Sequence, residues 1–288
     1  MLKRDDPVLL LGMHRSGTTL LAKMLAELGM HLGRNLEMHH ESIFILDAND
    51  WLLQRAHGAW DHPRPLRYVL EREETASALA QELKRKVEGL AFLRRYMGPG
   101  RLRAFMSSEP LLWGWKDPRT TATWPLWLSV FPRARAITVH RNGIDVAASL
   151  WRRARKELTQ DANARYLLDP HLNRFASPRC LELSRAFELW EDYLDLHHDN
   201  RERFELPELV LCYEDLLENP AVALQKVVEF LGLESGPERI AKAAALAERG
   251  PRFRFLEDAT LREFYQSRCG GGWLQRLGYG DLSRDERS

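Results

Sequence analysis

The sequence predicts an α/β protein of three layers, with a mostly parallel central sheet and helices on both faces. Three observations predict it. Short apolar runs alternate along the chain with longer amphipathic segments, the pattern of βα units. The first run, Val8 to Leu11, passes through a glycine turn directly into an amphipathic stretch, Leu20 to Leu28. The chain has 288 residues, 44% hydrophobic and 29% charged, enough for a full core and ordinary for a globular protein. We read residues 1–288 as one domain, with core strands near 8–12, 111–116, 136–140 and 209–213 and a helical insertion over about 41–100.

The elements follow in order. Val8 to Leu11 is a strand, and Leu20 to Leu28 a helix closed by Gly29. Met30 to His40 is a loop, and Glu41 to Arg55 a helix. Pro63 and Pro65 make His57 to Arg67 a second loop. Glu71 to Arg95 is polar and helical in character, ended by Gly98-Pro99-Gly100. Leu111 to Trp115 is a short buried strand that runs into Lys116-Asp117-Pro118-Arg119. Trp124 to Phe131 is a helix, Ala136 to Val139 a strand and Ile144 to Arg155 a helix. Lys156 to Pro178 is irregular. Leu181 to Leu196 carries Ala186, Phe187, Trp190, Tyr193 and Leu194 on one helical face. Leu209 to Tyr213 is the last strand. Asn219-Pro220 opens a helix, with Asn as N-cap and Pro at the first position, and Gly232 ends it. In such sheets ligands sit at the carboxyl ends of the strands. Gly12, Lys116, His140 and Tyr213 all follow strands, so we expect them to converge on one edge.

The turn after the first strand reads Gly12-Met13-His14-Arg15-Ser16-Gly17-Thr18-Thr19. Its glycines keep the spacing of a nucleotide-triphosphate phosphate loop, but Thr18 stands where that loop has its lysine. Unpaired N–H groups at a helix N-terminus attract anions, and the helix dipole adds about half a positive charge. Ser16, Thr18 and Thr19 offer hydroxyls. Arg15 offers a planar fork suited to a tetrahedral oxyanion. The bland alternative is a turn with hydroxyl capping. A second strand–turn–helix follows at His140-Arg141-Asn142-Gly143-Ile144-Asp145-Val146-Ala147-Ala148-Ser149. There Arg141 and Ser149 can grip a second anion, while Asp145 caps or orients the turn. Arg141 in an ordinary salt bridge is the competing reading.

Together these loops resemble the sulfotransferases that use 3′-phosphoadenosine 5′-phosphosulfate (PAPS). Gly12 to Thr19 is similar to their 5′-phosphosulfate loop in its Arg-Ser-Gly-Thr-Thr form, found in tyrosylprotein and bacterial members. Arg141 to Ser149 is similar to their 3′-phosphate motif. Val210-Leu211-Cys212-Tyr213-Glu214-Asp215-Leu216 with Asn219-Pro220 resembles a third segment, whose Tyr lies near the adenosine. The resemblance implies a P-loop NTPase-like fold and a cofactor held by Arg15, Ser16, Gly17, Thr18, Thr19, Arg141, Ser149 and Tyr213. The product is adenosine 3′,5′-bisphosphate. It also accounts for the missing lysine, since sulfuryl transfer in this family needs no bound metal. Glu214 and Asp215 are then helix caps rather than metal ligands.

Sulfuryl transfer asks for positioning and charge stabilisation. Arg15 and Lys116 can stabilise the bridging oxygen as the nucleotide leaves. Trp115-Lys116-Asp117-Pro118-Arg119 resembles a Lys-Asp-Pro segment of tyrosylprotein sulfotransferases; an ion pair with Asp117 or a neighbour is the alternative for Lys116. Glu41 stands at about the place of their catalytic Glu. Burial would have to raise its pKa. His39 and His40 beside it are natural bases. The cytosolic family's His pattern is broken here, which favours Glu41. Arg268, in Ser267-Arg268-Cys269-Gly270-Gly271-Gly272, is a poor match to a cytosolic segment that reaches the 3′-phosphate.

Other features set bounds. Net charge is +1, with no basic tail, which argues against nucleic acid. Cys180, Cys212 and Cys269 are dispersed and odd in number, so a disulfide framework and a Cys-based metal site are not expected, and a reducing compartment is the default. No run approaches a membrane span, and no signal peptide fits before Val8. A cytoplasmic protein is expected. Trp113, Trp115, Trp124 and Trp127 read as core rather than as a sugar platform. Arg152-Arg153-Ala154-Arg155-Lys156 reads as a solvated helix end. Segments His57 to Gly100 and Lys156 to Pro178, with Trp60, Tyr68, Phe92, Tyr96, Tyr166 and Phe175, are expected to wall the acceptor site. They do not discriminate among sugar, peptide, lipid and small molecule. The rival readings are a small-molecule kinase with an altered loop, needing Mg²⁺ and ATP, and a non-catalytic nucleotide-binding protein.

Overall fold

The computed structural model describes residues 7–87, 92–99, 111–160, 174–247 and 252–282. Four strands form its sheet: β1 (Val8–Leu11), β2 (Gly114–Lys116), β3 (Arg135–His140) and β4 (Glu208–Cys212). Their order is β2-β1-β3-β4, and every pair is parallel. β1 is buried along its whole length, as a strand covered on both faces must be. The side chains alternate accordingly. Leu9, Leu11 and Ala136 enter one core, and Val8, Leu10, Ile137, Val139 and Leu211 the other. This is the expected three-layer arrangement.

The helices are α1 (Thr18–Glu27), α2 (Ile43–Arg55), α3 (Leu66–Leu70), α4 (Glu73–Val87), α5 (Thr120–Val130) and α6 (Gly143–Gln160). They continue with α7 (Leu183–Arg203), α8 (Tyr213–Glu218), α9 (Pro220–Leu231), α10 (Pro237–Ala244), α11 (Ala259–Gln266) and α12 (Gly272–Arg276). α1, α9 and α10 cover the face of Leu10 and Val139. α2, α4 and α5 cover the face of Leu9, around the four buried tryptophans Trp113, Trp115, Trp124 and Trp127. Those tryptophans are core; Trp115 and Trp127 pack with ring centroids 4.6 Å apart.

Several boundaries differ from the sequence reading, each for a physical reason. α5 begins four residues earlier than expected, at Thr120. Its first turns are β-branched threonines, poor helix formers by propensity, but their hydroxyls all find buried partners. Thr120 and Thr123 bond Asn49, and Thr121 accepts from the Gly12 amide at 2.8 Å. Strand β2 is only Gly114–Lys116. Trp113 makes a single bridge to His31, whose amide donates to the Leu112 carbonyl at 2.9 Å, and Leu111 and Leu112 precede the strand. Tyr213 is not the end of β4 but the first residue of α8. α6 continues to Gln160, into the stretch expected to be irregular, and α7 continues to Arg203. A short helix, α3, closes the expected loop 57–67. Asn219 does hold the N-cap position of α9, with Pro220 next, but its side chain makes no cap bond. Gly100, residues 88–91 of the polar helical stretch and residues 161–173 lie outside the described residues.

The strand order places a topological switch between β1 and β3, because the chain leaves β1 to one side and later returns on the other. At such a point the loops after the two strands part and leave a crevice. The turns at Gly12–Gly17 and Arg141–Asn142 are those two loops.

Candidate functional site

The turn after β1 can close only with glycine at two places. Gly12 has φ +138°, and a Cβ there would stand 2.5 Å from the Val139 carbonyl oxygen. Gly17 has φ +96°, and a Cβ would lie 2.1 Å from the Tyr213 ring. Between them Arg15 also takes a left-handed conformation, φ +71°, which is uncommon for a residue with a Cβ. Gly17 leaves α1 without a side-chain cap, and the first turn holds no acidic residue. The amides of Thr18 and Thr19 therefore have no side-chain cap, while the Leu20 amide donates to the Gly17 carbonyl at 3.0 Å.

A cavity of about 210 Å³ opens there, lined in part by Arg15, Gly17, Thr18, Thr19 and Leu20. It shares Arg15, Leu20, His39, Arg141, Arg153 and Tyr213 with a larger cavity of about 800 Å³. Ser149 and Arg254 line the larger one. Arg15 joins the two loops: its Nε donates to Ser149 Oγ at 2.8 Å, and its carbonyl accepts from Arg141 Nη1 at 3.2 Å. The Arg141 guanidinium lies 4.6 Å from the Tyr213 ring centroid and 3.4 Å from Asp145. Its Nε is buried without a hydrogen-bond partner. Burial, then Arg153 and Arg141, push the Arg15 pKa down. Convergent cations that repel one another gain when an anion enters.

Asp145 orients the second turn. It faces Arg141 and accepts from the Phe255 amide at 2.9 Å. Glu214 does not cap its own helix. It accepts from the Asn142 amide at 3.1 Å and from the Tyr279 hydroxyl at 2.8 Å, so it braces the second loop from behind.

On the other side of Arg15 stand Glu41 and Lys116, each 2% exposed. Lys116 Nζ donates to Glu41 Oε1, and to the His39 carbonyl at 3.3 Å. Thus Lys116 pairs with Glu41, while Asp117 pairs with buried Arg119 at 3.2 Å. The second Glu41 oxygen, Oε2, is buried with no hydrogen-bond partner. Burial pushes the Glu41 pKa up to about 7, against the pull of Lys116. Both histidines beside it have lowered pKa values, chiefly through desolvation. His39 lines both cavities, and His40 lines neither.

Of the sequence candidates, Arg15, Gly17, Thr18, Thr19, Glu41, Lys116, Arg141 and Tyr213 meet in one cavity, with Ser149 at its extension. Ser16 does not join them. It is buried, and its hydroxyl turns back to the Met13 carbonyl at 2.6 Å. His140 also lies elsewhere, behind the loop. Arg268 stacks over Phe187 and Phe264 and lines neither cavity. Arg254, held in a 3-10 turn after a left-handed Phe253, supplies a C-terminal cation instead. Of the aromatics, Trp60, Phe92 and Tyr96 are buried in the cores, and Tyr68 is exposed. Phe175 lines the smaller cavity. Tyr166 lies outside the described residues.

Several lining residues escaped the sequence reading, among them Lys23, Arg254, Arg153 and His14. Arg153 sits inside a basic run, but it is one turn beyond Ser149 and faces both cavities. The i, i+4 relation to Ser149 was the available signal. Its Nη2 donates to the Phe175 carbonyl at 2.8 Å. His14, 5% exposed, packs on Trp60 with centroids 4.7 Å apart. Burial, then Arg119 and further cations, hold its pKa well below the usual histidine value. Among the described residues no cluster of three or more His, Cys, Asp and Glu is arranged to hold a metal ion, and no helix is long and apolar enough to cross a membrane.

The geometry can be set beside known proteins. The sulfotransferase family model matches residues 7–237. The sulfotransferase STF9 from Mycobacterium avium superposes with a TM-score of 0.53 at 17% identity, over 96% of this chain and 78% of that one. The sulfotransferase domain of the Synechococcus olefin synthase is 19% identical, with a TM-score of 0.47 over 84% of this chain and 78% of its own. Mouse sulfotransferase SULT7A1, solved with adenosine 3′,5′-bisphosphate (PAP), is 15% identical, with a TM-score of 0.41 over 86% and 66%. No curated protein matches the chain. At these identities the Mycobacterium avium structure speaks for the fold, and the match over residues 7–237 speaks for the family.

Proposed function

Because this chain belongs to the sulfotransferase family, we propose that it moves a sulfuryl group from PAPS to a hydroxyl or amine of an acceptor, in line and without a metal ion. The observation that carries the reading is the pair of anion grips at the β1/β3 switch, joined through Arg15, beside a buried Glu41–Lys116 pair. The residues fit such a nucleotide on their own chemistry. Arg141 Nε is buried without a partner, and Gly17 lets the loop run against the Tyr213 ring, where any Cβ would clash. The early amides of α1, with Arg15, Thr18 and Thr19, would hold the 5′-phosphosulfate. Arg141 and Ser149 would hold the 3′-phosphate, and Tyr213 would stand beside the adenosine. Arg153 and Arg254 add cations to the same walls.

When bound, PAPS supplies an activated sulfur whose bond to the bridging phosphate oxygen breaks as its bond to the acceptor oxygen or nitrogen forms. The protein's own residues do the rest. Glu41 takes the acceptor proton on its free Oε2 lone pair, helped by a pKa near neutrality. Lys116 and Arg15 oppose the negative charge that develops on the leaving oxygen. Lys116 begins bound to Glu41. An anion beside Lys116 competes for that ammonium and frees the carboxylate to act as base. The acceptor would enter past His14, Pro118 and Phe175, which line the Glu41 side of the cavity.

Thermal stability tests the reading. Adenosine 3′,5′-bisphosphate at 100 times its Kd should stabilise the fold by about 2.7 kcal/mol, and Arg141→Ala should erase most of that gain. Stabilisation by ATP–Mg²⁺ with none by the bisphosphate would instead favour a kinase.

A further inference from the structure

A second cavity, of about 170 Å³, lies on the reverse of the phosphate loop, between the ends of β1 and β3, the first half of β4 and the helices α7 and α12. Its floor is Gly12, Met13 and Ser16, the side of the loop that the donor cavity does not use. Its walls include Trp190, Leu194, Trp273 and Leu277, and its mouth passes Val210, which is 48% exposed. Trp273 is fixed by an Nε1 bond to Asp195 at 2.7 Å. The polar groups gather around Glu208. That carboxylate accepts from Thr138 and pairs with His197 Nε2 at 2.8 Å and Arg201 at 3.3 Å. His197 Nδ1 is left buried with no hydrogen-bond partner. In the tautomer that directs Nε2–H at Glu208, Nδ1 is left as an acceptor.

Although Thr138, His140, His197, His198, Arg201 and Glu208 also line it, much of this space faces aromatic and aliphatic side chains. A held water needs 2–4 polar partners, and a dry engineered cavity of about 150 Å³ takes a benzene-sized molecule instead. Aromatic walls with one unpaired acceptor match a flat, largely apolar molecule that carries a single N–H or O–H. The cavity is also coupled to the site. Thr121, in its wall, accepts from the Gly12 amide at 2.8 Å, and Ser16 Oγ donates to the Met13 carbonyl at 2.6 Å. Those bonds hold the loop that grips the donor. We propose that this cavity is an effector site for a small heteroaromatic ligand with one hydrogen-bond donor, and that its occupancy alters nucleotide affinity through the back of the phosphate loop.

Indole is the probe, because it has no hydroxyl or primary amine to accept a sulfuryl group. The whole chain is titrated with indole and with benzofuran, which lacks the N–H, with and without adenosine 3′,5′-bisphosphate. Indole should raise the Tm saturably without the nucleotide, and more than benzofuran at equal concentration. His197→Phe should abolish that difference. Leu194→Trp fills the cavity, and Val210→Trp covers the mouth from an exposed strand position that tolerates the change; the well-folded variants among them should lose the indole shift. Saturating indole should change the bisphosphate Kd at least threefold, and by linkage the bisphosphate should change the indole Kd by the same factor. The proposal is overturned by the absence of a saturable indole shift, by a shift that survives Val210→Trp, by strictly competitive displacement of indole by the bisphosphate, or by a bisphosphate Kd that indole leaves unchanged. None of these outcomes depends on sulfuryl transfer, so the effector site can fail while the proposed activity stands.

Discussion

Burial raises the Glu41 pKa to about 7, with Asp117 adding to the rise and Lys116 and Arg119 opposing it. The sign of the pH effect follows. The proposed base is the deprotonated carboxylate, so on that proposal kcat/KM should rise with pH up to about 7 and level above it, falling tenfold per unit on the acid side. Glu41→Gln should cost about 10²–10⁴ in kcat, with the acid limb removed. A loss of only a few-fold would show that Glu41 is not the base. Lys116→Met leaves the carboxylate buried without its cation. It should lower kcat and also move the acid limb to higher pH, because a lost positive charge favours the protonated form. A rate profile measured from pH 5 to 9 separates these effects. Glu41 and Lys116 were legible as residues from a family pattern. Their contact was not, because they are far apart in sequence and meet only when the loop before α2 folds against β2. The base alternatives narrow for a similar reason: His39 and His40 are neighbours in sequence, yet His39 faces the cavities and His40 does not.

At the scale of elements, one side chain ties α2 to α5. Asn49 donates to Asp117 at 2.8 Å and to Thr120 at 2.9 Å, and accepts from Thr123 at 2.7 Å and Trp127 at 2.8 Å. That uses its whole hydrogen-bonding capacity. Asn49→Leu would leave several buried polar groups unpaired and should cost about 3 kcal/mol or more, read as a lower midpoint in denaturant. Since α2 follows Glu41 and β2 ends at Lys116, the same variant should disturb the Glu41–Lys116 pair and lower kcat. The strands, α1 and α9 were readable because apolar periodicity and glycine turns carry them. The start of α5 was not, because threonines have low helix propensity and owe their helical state to Asn49, Trp115 and Gly12. The reach of Arg153 was hidden in the same way, since a basic run looks alike whether it faces water or a cavity.

Over the whole molecule the charge is nearly balanced, +1 in all, but it is not evenly placed. The larger cavity gathers Arg15, Lys23, Arg141, Arg152, Arg153 and Arg254, against Asp145 as its lone carboxylate among the described lining residues. Such a field draws an anionic donor in and is screened over about 8–10 Å at moderate salt. The KM for PAPS should therefore rise as NaCl is raised from 20 to 300 mM, with kcat changing much less. A KM indifferent to salt would mean that the cations act only in contact. Two C-terminal segments complete this field. Phe255 bonds Asp145 and Tyr279 bonds Glu214, so residues far along the chain hold the second anion loop. Arg254 rather than Arg268 reaches the cavity for that reason.

The sequence by itself determined the layer order, the two strand–turn–helix units and the chemistry of their loops, because these depend on local periodicity, glycine placement and residue type. Thr18 in place of a lysine weighed against a triphosphate, and the resemblance of both loops together to the sulfotransferases turned the reading toward a sulfonated nucleotide. Only the tertiary structure decided which side chains share the crevice. It paired Lys116 with Glu41 rather than Asp117, turned Ser16 inward, brought in His14 and Arg153, and left His140 behind the loop. The reason is physical: those outcomes depend on which strands lie side by side and on burial, and neither is encoded in the spacing of residues along one segment.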